Sequence, residues 1–168
     1  GRGGLKDYLK HLYLQETLYP QEAIKLRFLE NHDIERIGAL IPERNFLKNW
    51  VVFYALLPGA TLVWAGQEYL TKERVNFFER ELIDWERGDA EFCDFFKNAL
   101  RVAKEIKEKC NCFLIEEIKP GVVKITWRGP KEEFGTILNL DWRNGTADAG
   151  RDLHGEELMG TGIRRITY

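Results

Sequence analysis

Apolar positions along residues 5–18, "LKDYLKHLYLQETL", recur at helical spacing. Leu5, Leu9, Leu12 and Tyr13 fall on one face, and Pro20 ends the pattern. Residues 23–30, "AIKLRFLE", predict a strand. Residues 46–57, "FLKNWVVFYALL", are apolar almost all round, which suits a buried helix, and Pro58-Gly59 stops it. The run "ATLVWAG", residues 60–66, is short and continuously apolar, the mark of a strand buried on both faces as in a parallel sheet. A loop follows. Residues 89–109 then predict a strongly amphipathic helix, with Asp89 as N-cap and Lys107 and Lys109 near its end, where they suit the helix dipole.

After residue 110 the period changes to that of strands. "CFLIEEIK", "GVVKITWRG", "EFGTILNLDW" and "GIRRITY" are separated by turn signals at Pro120-Gly121, Gly129-Pro130 and Asn144-Gly145. The expected organisation is therefore α/β over residues 1–109 and antiparallel β over 110–168, with the boundary near 109 or 110.

Composition narrows the class. The chain has 168 residues, 44% hydrophobic, 31% charged and 12% aromatic, which is a globular composition. Net charge is −2 and the basic residues are scattered, so the footprint of a nucleic-acid binder is absent. No apolar run approaches the ~20 residues that span a bilayer. The three cysteines, Cys93, Cys110 and Cys112, form no disulfide framework, and Cys110-Asn-Cys112 lacks the further ligands of a zinc site. Reduced thiols favour a cytoplasmic setting.

One stretch stands apart. In "RFLENHDIER", residues 27–36, an apolar strand runs straight into Glu30-Asn31-His32-Asp33. Two carboxylates, an amide and an imidazole at a strand mouth suit a site. They also suit a turn with an Asp helix cap.

The chain resembles glycoside hydrolase family 13, the α-amylase family, in three segments that cover nearly all of it. "FLENHD" is similar to the family's strand seven, which ends in Asn-His-Asp. "LLPGATLVWAGQE" is similar to its strand eight, apart from Thr61, where the family often has Pro. "FFERELIDWERGD", leading into an amphipathic helix, is similar to the approach to its last barrel helix. The resemblance implies the C-terminal remnant of a (β/α)8 barrel, about two strands and three helices, followed by an antiparallel β-sandwich. A whole barrel needs about 250 residues. The family's nucleophile, an Asp in Gly-x-Arg-x-Asp, and its acid/base Glu are not found. "AGRDLH", residues 149–154, has the wrong spacing, because Arg151 directly precedes Asp152.

By that resemblance the chain is a C-terminal fragment of a retaining hydrolase or glucanotransferase acting on α-glucans, inactive alone. Asp33 is the carboxylate that stabilises the transition state. His32 hydrogen-bonds a hydroxyl of the same sugar. Asn31 binds substrate or only holds the loop. Arg36 either pairs with a carboxylate near the site or is a solvated helix-start residue, and Glu30 is a supporting, salt-bridged group. Gln67 and Glu68 end the second strand, where Glu68 orients neighbouring side chains or is purely structural. Phe77, Phe78 and Trp85 stack on sugar or pack in the core. Trp127 and Trp142 belong to the sheet or form a glucan platform. His11 and His154 are given no role.

No cofactor is implied for this chain, since the family's calcium is usually held elsewhere. The alternative reading is a non-catalytic carbohydrate-binding or interaction module on the same fold. Two parallel strands without a barrel leave open edges and bare apolar faces. Trp50, Val51, Phe53 and Tyr54 are then expected to lose cover and the chain to self-associate, while the β region folds independently.

Overall fold

The structure is a computed structural model that describes residues 4–20, 22–76, 78–80, 82–143 and 155–166. Phe77, His154, the Asn144-Gly145 turn and the Arg151-Asp152 pair lie outside the described residues.

Helix α1 (Leu5–Leu18) buries Leu12 and packs Leu5 and Leu9 against the core. Strand β1 (Leu26–Arg27) pairs in parallel with β2 (Ala60–Thr61), in the register Leu26↔Ala60 and Arg27↔Thr61. The backbones approach closely at the entry to this pair. Gly59 has φ +109°, and a Cβ there would run into the Lys25 carbonyl, which accepts from the Ala60 N–H at 2.9 Å. Between the strands lie a four-residue helix, α2 (Ile37–Leu40), which the pattern did not foresee, and α3 (Arg44–Leu56).

Both strands are shorter than the segments 23–30 and 60–66 expected of them. Strand length is set by ladder partners, and among the described residues each of these strands has one neighbour. For the same reason the run 60–66 is not buried on both faces. Val63 is exposed, as are Ile24, Leu26 and Phe28 of the first segment.

The segment from 67 to 88 holds two 3-10 turns, Gln67–Tyr69 and Trp85–Arg87. Helix α4 (Ala90–Lys109) starts where its cap predicts, the Asp89 Oδ1 accepting from the Phe92 N–H at 2.8 Å. It packs Phe92, Phe96, Ala99, Val102, Ala103 and Ile106 into the core shared with α3.

The last third is a five-stranded antiparallel sheet in the order β3-β4-β5-β7-β6, made of β3 (Cys112–Lys119), β4 (Val122–Arg128), β5 (Glu133–Asn139), β6 (Glu156–Glu157) and β7 (Arg164–Ile166). Val123, Ile125 and Trp127 of β4 face Leu138, Thr136 and Phe134 of β5 on one buried side. The Trp127 Nε1–H donates to the Leu56 carbonyl at 2.9 Å, and that of Trp50 to the Leu140 carbonyl at 3.2 Å, so indoles pin sheet and α3 together. Cys110 is buried, whereas Cys112 is exposed on the next strand.

One apolar cluster runs from Leu12 through α3 and α4 to Ile163. Two expectations change with it. Val51, Phe53 and Tyr54 are fully buried and Trp50 is partly so, because α1, through the Tyr8–Phe53 ring contact, and the sheet, through the Trp50 indole, pack against α3. Trp127 is buried too, which removes it as a glucan platform. Trp142 stays half-buried, with Arg143 over its ring at 4.9 Å.

Candidate active site

The carboxyl end of β1 leads into the loop 30–37, and its construction begins underground. Glu30 is 0% exposed and Arg36 1%. Burying charges is tolerable only when they are paired and hydrogen-bonded. The Glu30 Oε1 accepts from Arg36 Nη1 at 2.7 Å, and its Oε2 accepts from the Ile37 N–H, also at 2.7 Å. Arg36 Nε donates to the Glu73 carbonyl at 3.1 Å. One carboxylate therefore joins the start of the loop to its end. Burial raises the pKa of Glu30, opposed by the Ile37 N–H and by Arg36; the charge of Glu68 adds to the rise. Burial, then the charge of Glu30, pushes the Tyr54 hydroxyl up as well.

Above this clamp, Asn31 shapes the turn. Its Oδ1 accepts from the N–H groups of Asp33 at 2.9 Å and Ile34 at 3.2 Å, an Asx turn. Asn31 thus holds the loop, one of the two roles the sequence left open for it. The Asp33 side chain is free of that capping duty and 74% exposed; the His32 side chain is 56% exposed. Their contact is direct, with His32 Nε2 and Asp33 Oδ1 3.3 Å apart. Arg74 Nη2 donates to the His32 carbonyl at 3.1 Å, and the Trp64 ring lies 5.9 Å from the imidazole.

Gln67 and Glu68 do not end β2, which stops at Thr61; they lie in the segment that follows it. Gly66 takes φ +90°, and Gln67 and Glu68 follow in a 3-10 turn. Gln67 is buried, its Oε1 accepting from the Trp64 N–H at 3.3 Å. Glu68 Oε2, Gln67 Nε2, Tyr54 Oη and Arg36 Nη2 are buried without a hydrogen-bond partner.

The structure brings Asn31, His32, Asp33 and Arg36 into one loop and sets Glu68 in electrostatic range of Glu30. Phe78 is almost wholly exposed, and Trp85 stands half-exposed, edge-on to Tyr69. Sequence reasoning missed Trp64 and Arg74. Trp64 lies inside an apolar run and passes for core, and Arg74 has no local pattern. A cavity of about 800 Å³ lies elsewhere, between α1, β1, α3 and the sheet, beside Phe28, Trp50 and Trp142. It gathers packing faces rather than the carboxylate–imidazole pair, so the loop remains the better candidate. Among the described residues no group of three or more His, Cys, Asp or Glu could hold a metal ion, and no helix is long and apolar enough to cross a membrane.

No family model matches the chain. α-Amylase 2 of Dictyoglomus thermophilum is 24% identical over 114 residues, 61% of this chain. An α-amylase from Lactobacillus plantarum superposes on 83% of it with a TM-score of 0.73 and 25% identity. A noncanonic maltogenic α-amylase, AmyB of Thermotoga neapolitana, does so over 83% with a TM-score of 0.74 and 28% identity. The chain resembles the C-terminal portion of an α-amylase-family enzyme. It spans 20% of the length of the Dictyoglomus α-amylase and 33% and 34% of the two solved α-amylases. Against these α-amylases the described elements account for a barrel-type strand pair with its helices, followed by an antiparallel sheet.

Proposed function

We propose that this chain is the part of an α-amylase-type retaining glycoside hydrolase or glucanotransferase that carries the transition-state-stabilising carboxylate, Asp33. The observation that supports this most is the loop at the carboxyl end of β1. It is clamped from below by Glu30 and shaped by Asn31, and the Asp33 carboxylate and His32 imidazole stand together on its solvent side. The catalytic faces of barrel enzymes lie at strand C-termini.

The chemistry follows from charge. The transition state is oxocarbenium-like, and a fixed carboxylate beside the sugar favours the developing positive charge. Exposed on the rim, Asp33 grips sugar hydroxyls through charge-assisted hydrogen bonds, and His32 donates to a hydroxyl of the same ring. A retaining enzyme also needs a nucleophile and an acid/base roughly 5–5.5 Å apart, and neither sequence motif is in this chain. Alone, it binds α-glucan and does not turn it over.

The test is maltotriose added to the isolated chain, followed by NMR shifts and by product analysis. The expected result is binding that shifts the His32 ring protons, is lost in Asp33→Asn, and releases no sugar. Turnover by the isolated chain would overturn the inactive-fragment reading, and binding indifferent to Asp33 and mapping to Trp142 would favour a carbohydrate-binding module. Self-association belongs to the same proposal, now assigned to the exposed strand face of Ile24, Leu26, Phe28 and Val63.

A further inference from the structure

The last turn of α4 comes back against the entry to the β1–β2 pair. Two consecutive carbonyls there are both taken by cations. That of Pro58 accepts from Arg27 Nε at 2.9 Å, and that of Gly59 from Lys107 Nζ at 3.2 Å. Arg27 is buried, whereas Lys107 is half-buried, so its amine stays within reach of a small molecule.

The charges in this corner do not balance. Glu16 is shared, its Oε1 lying 3.4 Å from Arg27 Nη2 and 3.3 Å from Lys25 Nζ. Among the described residues no carboxylate pairs with Lys107. An ammonium that is partly desolvated, stands beside a guanidinium and lacks an anion gives up its proton more readily. Desolvation and a neighbouring cation are also what turn a lysine into a nucleophile. Burial, and then the charge of Arg27, accordingly lowers the Lys107 pKa from 10.5 to about 8. Near neutrality an appreciable share of this amine carries a free lone pair, whereas a lysine at the usual value of about 10.4 is almost wholly protonated.

The reagent that suits the corner is small, is electrophilic and becomes an anion on reaction. Carbon dioxide meets all three conditions. The Nζ lone pair attacks its carbon and an N–C bond forms. One C=O electron pair moves onto oxygen, and the nitrogen gives a proton to solvent. The product, a carbamate, keeps one N–H for the Gly59 carbonyl. Its carboxylate is the anion that the corner lacks. Arg27 can meet it, because three of its five N–H groups are engaged, by Pro58, Gln15 and Glu16, and two are left over.

We propose that Lys107 is a carbamate site, at which carbon dioxide adds to the amine and the product pairs with Arg27, tying the last turn of α4 to β1. The proposal is independent of the α-glucan reading above.

The experiment equilibrates the whole chain with carbon-13 bicarbonate and carbon dioxide at about pH 8, the Lys107 pKa. Carbon-13 NMR reads the carbamate directly. A second portion is esterified with an alkylating oxonium salt, which traps carbamates, and its peptides are weighed by mass spectrometry. The expected result is a carbamate resonance and a trapped adduct on Lys107, about tenfold or more above that on Lys104, which is exposed on the same helix. Lys107→Arg keeps the cation and removes both signals. At fixed pH and ionic strength, carbon dioxide raises the melting temperature of the wild type and leaves that of Lys107→Arg unchanged. Label spread evenly over the lysines, no adduct on Lys107, or a resonance that survives Lys107→Arg overturns the site. A labelled wild type whose melting ignores carbon dioxide overturns the pairing with Arg27.

Discussion

Glu30 and Arg36 show what a buried charge is for in this molecule. Neither reaches solvent, and each would be costly alone, yet together with the Ile37 N–H they close the loop that carries His32 and Asp33. Breaking a buried pair by removing one partner costs about 3–5 kcal/mol. Glu30→Gln is accordingly expected to lower unfolding free energy by about 3 kcal/mol in urea titrations, and a loss under about 1 kcal/mol would mean the pair is not the clamp described. Asp33→Asn is expected to behave oppositely, within about 0.5 kcal/mol of wild type because the side chain is exposed and caps nothing, yet to lose maltotriose binding. At this scale the sequence was partly legible. "ENHD" announced a polar strand end, and a carboxylate partner for Arg36 was one of two readings. Which of the four polar residues would face solvent was not legible, because that depends on Ile37 and Glu73 closing over the other end of the loop.

The elements divide by how local their causes are. Helix α4 was legible because its cap, its apolar period and its terminal lysines all lie within its own residues. Strands β3 to β5 were legible because hairpin turns fix the register between neighbours in sequence. Strands β1 and β2 were overestimated because a parallel strand owes its length to partners distant in the chain. Their junction supplies an electrostatic test. The carbonyls of Pro58 and Gly59 accept from Arg27 at 2.9 Å and from Lys107 at 3.2 Å. Burial, and then the charge of Arg27, lowers the Lys107 pKa from 10.5 to about 8. Between these values the unfolded chain binds the proton and the folded one does not. Stability therefore rises as pH climbs from about 8 to 10.5. Thermal melts across that window should show the rise in wild type and a flatter profile in Lys107→Met.

At the scale of the whole molecule, one apolar cluster crosses residue 110, and Trp127 and Trp50 tie the sheet to α3. Unfolding followed by tryptophan fluorescence and by far-UV circular dichroism should give coincident transitions. An early, separate loss of helix signal would mean that the sheet stands on its own, as the change of period at 110 suggests. The exposed face of β1 and β2 predicts concentration-dependent association by sedimentation, abolished in Leu26→Lys. A wild type that stays monomeric at tens of micromolar would rule that out.

The Glu30 carboxylate has one more consequence. Because it grips both ends of a short loop, residues 31–35 form a closed cassette, fastened at its base by Glu30 and at its side where Arg74 holds the His32 carbonyl. A substitution at Glu30 would therefore be felt at the tip, although Glu30 itself never meets solvent.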